Sequence, residues 1–329
     1  MSFERIASFL PSSTEILYEL GAGDQIVGVT HECNYPSDAK TKPTVVNCTF
    51  GSDEMSSKQI DQKMIELLRS GGDIYAIDEN KLRRGRPDLI IAQGTCEVCA
   101  PFTKEINRAV SILDYKPSVL VIDPHDLEGI LATVIQISEK VGRISHGRVI
   151  VMSLQDRIDG IKTRTVEKKN KNCSAENSNR NNPRVLCLEW LDPFFAAGHW
   201  VPEMVEIAGG VNGLSSRAQP SRRVHVQEIA DFDPEKIILM PCGFSIERTV
   251  KEARFLADSK QWSSLTAVER GEVYAVNANA YFSKPGIRTI TGLEILAKII
   301  DPISFADLKL PPNSVSNMKY NLYSRSTLH

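Results

Sequence analysis

Apolar positions along the chain recur in two registers. Short continuous runs at residues 5–10, 25–30, 87–93, 118–123, 185–188, 237–240 and 273–276 predict buried strands, with a shorter extended run at 73–78. Between them apolar residues fall at helical spacing. The clearest case is 127–141, where Leu127, Ile130, Leu131, Val134, Ile137 and Val141 share one face. Helices are likewise predicted over 56–70, 79–85, 106–110, 201–208, 226–232, 245–257 and 286–300. Ile16, Leu17 and Leu20 form one after residue 10, with Ser12 or Ser13 as its cap. Pro202 stands in the first turn of the 201–208 helix and Gly209-Gly210 end it. Strand, helix, strand in alternation implies parallel sheets.

A long helix over 145–169 has a polar second half, and 170–182, rich in Asn, Ser and Lys, reads as a mobile loop. After Pro183 the alternation restarts. Residues 86–96 and 233–242 repeat one design: a Pro-acidic turn, an apolar strand, then a loop with cysteine. The fold class is therefore α/β, with two Rossmann-like lobes joined by one long helix. The expected boundaries are 1–143 for the first lobe, 144–169 for the bridging helix, 170–182 for the loop, 183–300 for the second lobe and 301–329 for a tail. A ligand is expected between the lobes, where the strand-end loops of both would face it.

The loop after the 185–188 strand stands out, with Glu189, Trp190, Asp192, Phe194, Phe195, His199 and Trp200. Two of three tryptophans in one loop point to a flat, largely apolar ligand; the alternative is that the rings pack beneath the loop. The other strand ends offer Ser12, Ser13, His31, Tyr35, Gln93 and Thr95 in the first lobe, and Phe244, Asn279, Tyr281 and Phe282 in the second. Cys33, Cys96, Cys99 and Cys242 are candidate metal ligands. A lone Cys-x-x-Cys falls short of a structural zinc pattern, and small apolar packing is the competing reading for each thiol.

Net charge of −2 gives no reason to expect nucleic acid as a partner. Residues 1–10 lack a basic and apolar leader, so the chain reads as cytoplasmic as given, or extracytoplasmic if a leader was removed. No apolar run is long enough to span a bilayer. Seven cysteines, an odd number, argue for reduced thiols. Gly-x-Ser-x-Gly, Gly-x-Gly-x-x-Gly and Gly-Lys-Ser/Thr are all missing, so no catalytic role is expected.

Ala-Ser-Phe-Leu-Pro-Ser-Ser-Thr-Glu-Ile-Leu at residues 7–17 is followed by Gly-Ala-Gly-Asp-Gln-Ile-Val-Gly-Val-Thr at 21–30. Pro-Asp-Leu-Ile-Ile-Ala-Gln (87–93), Gly-His-Trp-Val-Pro-Glu-Met (198–204), Asp-Pro-Glu-Lys-Ile-Ile (233–238) and Gly-Glu-Val-Tyr-Ala-Val (271–276) come after them in order. Together they resemble the iron-siderophore/cobalamin periplasmic-binding protein superfamily, most closely its cobalamin-binding branch, nearly to residue 300. The resemblance implies the class III substrate-binding fold, whose bridging helix is rigid. It also implies a monomer holding a cobalamin-like corrinoid and delivering it to an ABC permease. Trp190, Trp200, Phe244 and Tyr281 would then flank the macrocycle. Tyr35, Gln93 and Asn279 would bond its amide rim, and His31 or His199 would approach the metal. Haem and ferric siderophore binders share the scaffold. The Cys96–Cys99 loop and the 170–182 segment depart from the typical transport member. The missing leader, together with Cys33, Cys96, Cys99, Cys242, His31 and His199, keeps open an alternative: an intracellular enzyme or chaperone handling a metal cofactor through its thiols and histidines.

Overall fold

The structure is a computed structural model that describes residues 2–94, 103–173 and 182–320. It divides into two units. The first holds residues 1–55, 59–154 and 285–287; the second holds 56–58, 155–284 and 288–329.

In the first unit, β1 (Ile6–Ser8), β2 (Ile26–Thr30), β3 (Thr44–Cys48), β4 (Tyr75–Ile77), β5 (Leu89–Gln93) and β6 (Ser118–Ile122) form one sheet in the order β4-β3-β2-β1-β5-β6. All contacts are parallel except β3–β4. Every residue of β5 is buried, as befits a central strand covered on both faces, and this is why its sequence is apolar without alternation. The helices are α1 (Pro11–Glu19), α2 (Ser57–Ser70), whose first two residues belong to the second unit, α3 (Glu79–Gly85), α4 (Thr103–Ile112) and α5 (Leu127–Lys140). On one face of the sheet, Ala7, Phe9, Ile90 and Ala92 pack with Leu82 of α3 and Ile106, Ala109 and Ile112 of α4. The 30-residue helix α6 (Ile144–Cys173) begins in the first unit and continues into the second.

The second unit is built on β7 (Val185–Leu191), β8 (Phe194–Ala196), β9 (Arg222–Arg223), β10 (Lys236–Leu239), β11 (Val273–Val276) and β12 (Val315–Asn317), in the order β12-β11-β10-β7-β8-β9. The centre, β7–β10–β11, is parallel, and the flanking pairs are antiparallel. Its helices are α7 (Val201–Ile207), α8 (Val226–Phe232), α9 (Ile246–Glu252), α10 (Lys260–Ser263), α11 (Thr266–Glu269), α12 (Ala278–Tyr281) and α13 (Thr289–Ile300). One core gathers Leu186, Leu188, Ile237, Leu239, Trp262, Val273 and Met318.

Several expectations need correcting. Leu10, not Ser12 or Ser13, is the N-cap of α1, because Pro11 sets the helical φ at N1 and starts the helix earlier. The strand expected over 185–188 runs on to Leu191, since Asp192-Pro193 turns it into a hairpin with β8. Glu189, Trp190, Phe194 and Phe195 are thus strand residues. α6 extends four residues beyond the expected 169, into the stretch read as loop. The 245–257 helix gives way after Glu252 to a 3-10 turn, and the closing helix starts at Thr289. β3 and β12 had no counterpart in the sequence reading. The stretch after Asp301 supplies β12, and its Met318 is fully buried.

The repeat between the halves reaches atomic detail. Arg86 and Asp233 each end a helix in the left-handed region, at φ 42° and 46°, just before a proline. An arginine then fastens each turn to the first strand of its sheet. Arg5 Nε donates to Gly85 O at 2.9 Å, and Arg184 Nε donates to Asp233 O at 2.7 Å. The Arg5 N–H donates to Asp88 Oδ1 and the Arg184 N–H to Glu235 Oε2, both at 3.0 Å. In return the N–H groups of Asp88 and Glu235 donate to the carbonyls of Arg5 and Arg184, both at 2.8 Å.

Candidate functional site

In each sheet the strand order reverses direction at the first strand, β1 or β7, and ligands of open α/β sheets bind at the carboxyl ends beside such a point. In the first unit, β1 delivers Ser12 and Ser13 at the start of α1. Its neighbour β2 delivers His31, Cys33 and Tyr35, and its other neighbour β5 delivers Gln93.

These residues divide by burial. Ser13 is wholly buried and its Oγ lies 2.5 Å from Ser8 Oγ and donates to Leu10 O at 3.0 Å. Thr14 Oγ1 bonds Ser8 Oγ at 2.7 Å and Cys33 Sγ at 3.1 Å, and Thr30 Oγ1 lies 3.3 Å from the same sulfur. Cys33 is therefore a buried thiol within a hydroxyl network. His31 and Tyr35 are exposed; His31 Nε2 stands 3.9 Å from Glu32 Oε1 and the imidazole 6.4 Å from the Tyr75 ring. Gln93 is nearly buried at the tip of its strand. Thr95, Cys96 and Cys99 lie outside the described residues. Among the described residues no three His, Cys, Asp or Glu gather as a metal site.

In the second unit three parallel strands end together. Leu188 and Glu189 of β7 accept from the N–H groups of Met240 and Cys242, which leave β10, at 2.8 and 3.0 Å. Phe244 accepts at its carbonyl from Asn279 N, just past β11, at 3.1 Å. The Phe244 ring is buried, meets half-buried Trp190 edge-on at 5.6 Å, and carries the Arg248 guanidinium 3.8 Å from its centroid. An edge-on pair places a positive ring edge against a π face, and a guanidinium over the same ring adds a second electrostatic contact. Trp190 Nε1 donates to Ser57 O at 3.2 Å; Ser57 in turn donates through N and Oγ to Glu252 Oε1 at 2.8 and 2.6 Å. The Asn279 Oδ1 is buried, with no partner among the described residues. Arg288 lies 5.9 Å from the half-buried Tyr281 ring.

Trp200, expected to flank the macrocycle, and Phe282, expected at the ligand, are both buried, as Phe244 is. Trp200 and Phe282 are 6% and 3% exposed, and Trp200 Nε1 donates to Phe282 O at 3.1 Å. Phe194 stacks on Trp262 at 5.6 Å. His199, at φ 52°, is held by its N–H on Gln219 O at 2.6 Å, and its ring is 5.7 Å from Trp200. Gly198 just before it admits no side chain: a Cβ would collide with Gln219 O and Ser221 N. Arg248, Arg288, Ser57 and Glu252 escaped the sequence reading. Phe244 and Arg248 are four residues apart around the Ser245 N-cap of α9, a spacing that brings a cap-flanking ring under a first-turn arginine.

Comparison with known proteins agrees with this architecture. A vitamin B12-binding protein of Vibrio cholerae is 22% identical over 299 residues, 88% of this chain and 87% of that one. The ABC transporter substrate-binding lipoprotein YvrC of Bacillus subtilis is 24% identical over 311 residues, 92% of this chain and 82% of that one. Among solved structures, the periplasmic vitamin B12 binding protein BtuF of Vibrio cholerae superposes with a TM-score of 0.64 at 21% identity, over 92% of this chain and 98% of that one. A periplasmic haem binding protein of Pseudomonas aeruginosa gives 0.65 at 15% identity, over 92% and 94%. The two helix-covered sheets are those of the class III periplasmic binding proteins. The periplasmic binding protein family matches residues 6–280, and the chain belongs to that family.

Proposed function

We propose that the chain is a non-catalytic ligand-binding component of ABC-type uptake, working outside the cytoplasm with a membrane permease. Its cargo on this reading is a metal macrocycle with polar edges, a cobalamin-like corrinoid in preference to haem. The observation that carries the reading is the Trp190–Phe244–Arg248 cluster at the carboxyl ends of the central strands, in a chain whose relatives include cobalamin-binding proteins of Vibrio cholerae and Halobacterium salinarum. Trp190 and Tyr281, both half-buried, supply the flat contact, and Asn279 supplies a bond to the ligand's amides. The metal-handling alternative has no observation among the described residues in its favour.

Titration calorimetry with cyanocobalamin and with hemin, alongside quenching of tryptophan emission, tests the reading. Cyanocobalamin is expected to bind at micromolar concentration or tighter, and Trp190→Ala to weaken it at least tenfold. Preference for hemin would transfer the cargo to haem, and absence of heat and quenching with both would overturn the reading.

A further inference from the structure

We infer that Glu252 is a positioning residue for the aromatic platform, fixing the Trp190 indole through Ser57; this rests on the ligand-binding reading above. Trp190, Ser57 and Glu252 all belong to the second unit. A tryptophan side chain has one hydrogen-bond donor, and Trp190 Nε1 gives it to Ser57 O at 3.2 Å. Ser57 is the first residue of α2, where a helix leaves its N–H groups without intrahelical partners. Glu252 supplies the missing acceptor. One of its carboxylate oxygens takes both the Ser57 N–H at 2.8 Å and the Ser57 hydroxyl at 2.6 Å. Bonds to a carboxylate are stronger than those between neutral groups, and negative charge at a helix start is favourable in itself. Ser57 is 0% exposed, so water does not compete for these bonds.

The helix that carries Glu252 braces the platform twice. Glu252 is the last residue of α9 and follows Arg248 by four, so the two side chains leave the helix on one side. Arg248 lays its guanidinium on the Phe244 ring, and Glu252 carries its carboxylate to Ser57. Trp190 stands between these two ends, edge-on to Phe244 at 5.6 Å and bonded to the Ser57 carbonyl. Its ring is thus set in one orientation by two contacts, and α9 stands behind both. A flat ligand meets a ring that is already placed, which spares the ordering of a free side chain on binding. Without the carboxylate, the Ser57 N–H and hydroxyl are left buried and unpartnered, and the carbonyl that holds the indole loses its anchor.

The test reads the indole N–H signals of the three tryptophans in a nitrogen–proton correlation spectrum, that of Trp190 assigned by its loss in Trp190→Phe. Without ligand, Glu252→Ala is expected to shift the Trp190 signal and leave in place those of Trp262 and of Trp200, which donates to Phe282 O instead. In calorimetry with cyanocobalamin and with hemin, Glu252→Ala is expected to bind about tenfold more weakly than wild type, and Glu252→Gln, which keeps an acceptor oxygen, within about twofold of it. In a Trp190→Ala background, Glu252→Ala is expected to weaken binding no further, because the ring it positions has gone. An unmoved Trp190 signal, an affinity of Glu252→Ala within about twofold of wild type, or a loss that persists in full without Trp190 would each overturn the inference. Should Glu252→Ala fail to fold, Ser57→Ala removes one of the two bonds and is expected to shift the same signal by less; an unmoved signal there overturns the inference equally. Failure of wild type to bind either probe would overturn the ligand-binding reading, and the role of Glu252 with it. A wild type that binds, beside any of the contrary results, overturns the role of Glu252 alone.

Discussion

Replacing Phe244 by alanine probes the packing of the second unit's strand ends. The side chain is 2% exposed, meets Trp190 at 5.6 Å and underlies Arg248 at 3.8 Å. Truncating a buried phenylalanine costs about 3–5 kcal/mol through lost transfer energy and the cavity left behind. Of this, about 0.5–1.5 kcal/mol belongs to the aromatic pair and about 0.5–1 kcal/mol to a half-exposed guanidinium over the ring. Phe244→Leu keeps most of the apolar volume but forfeits both ring-specific contacts, so its cost is expected near 1–2.5 kcal/mol, about the sum of those two. All three tryptophans, Trp190, Trp200 and Trp262, belong to the second unit. Urea unfolding followed by tryptophan emission therefore reports that unit, and the midpoint shift at constant m gives the loss. A double-mutant cycle with Trp190→Ala should show coupling of about 0.5–1.5 kcal/mol. A loss under about 1 kcal/mol for Phe244→Ala, or a cycle that is additive within error, would refute the packing described.

Two further substitutions test α6. Gly160 is exposed in mid-helix with nothing within 4 Å of a would-be Cβ, so Gly160→Ala should stabilise by about 0.5–1 kcal/mol; a loss in thermal or urea unfolding would contradict a solvent-facing helical position. Burial opposes ionisation of Asp301, yet the Lys168 ammonium at 2.7 Å and Ser304 outweigh it and hold the carboxyl below its ordinary value. A depressed carboxyl contributes stability above its unfolded pKa of 3.8 and loses it as pH falls through the folded value. Lys168→Met should thus cost about 1–2 kcal/mol at pH 7, with a gap to wild type that closes on acidification; a gap independent of pH would count against the pair.

Elements whose own residues decide their state were legible in the chain. β5 is buried on both faces and reads as an unbroken apolar run, and α8 matches its expected bounds because a side-chain bond from Glu228 to the His225 N–H starts it and left-handed Asp233 stops it. Elements decided by distant partners were not. β3 has only Val45 and Val46 buried, and its pairing with β2 and β4 makes it a strand. Glu189 and Trp190 become strand residues because β8 folds back on them. Within the site, a ring's sequence neighbourhood does not say which surface covers it. Trp190 and Trp200 both follow the 185–188 run, yet one is half-buried beside Phe244 while the other is sunk against Phe282. Arg248 and Glu252 join the site through α9, whose place beside β11 is set by the fold alone.

The last described residues also govern how the second sheet meets the outside. β12 is laid antiparallel along β11, and Met318 behind it fills the shared core. A chain cut after Ile300 would leave the β11 backbone unzipped along one side and a methionine-sized hole beneath it. Unprotected strand borders recruit foreign strands, so this short closing ribbon acts as a hem that keeps the sheet from fraying into self-association.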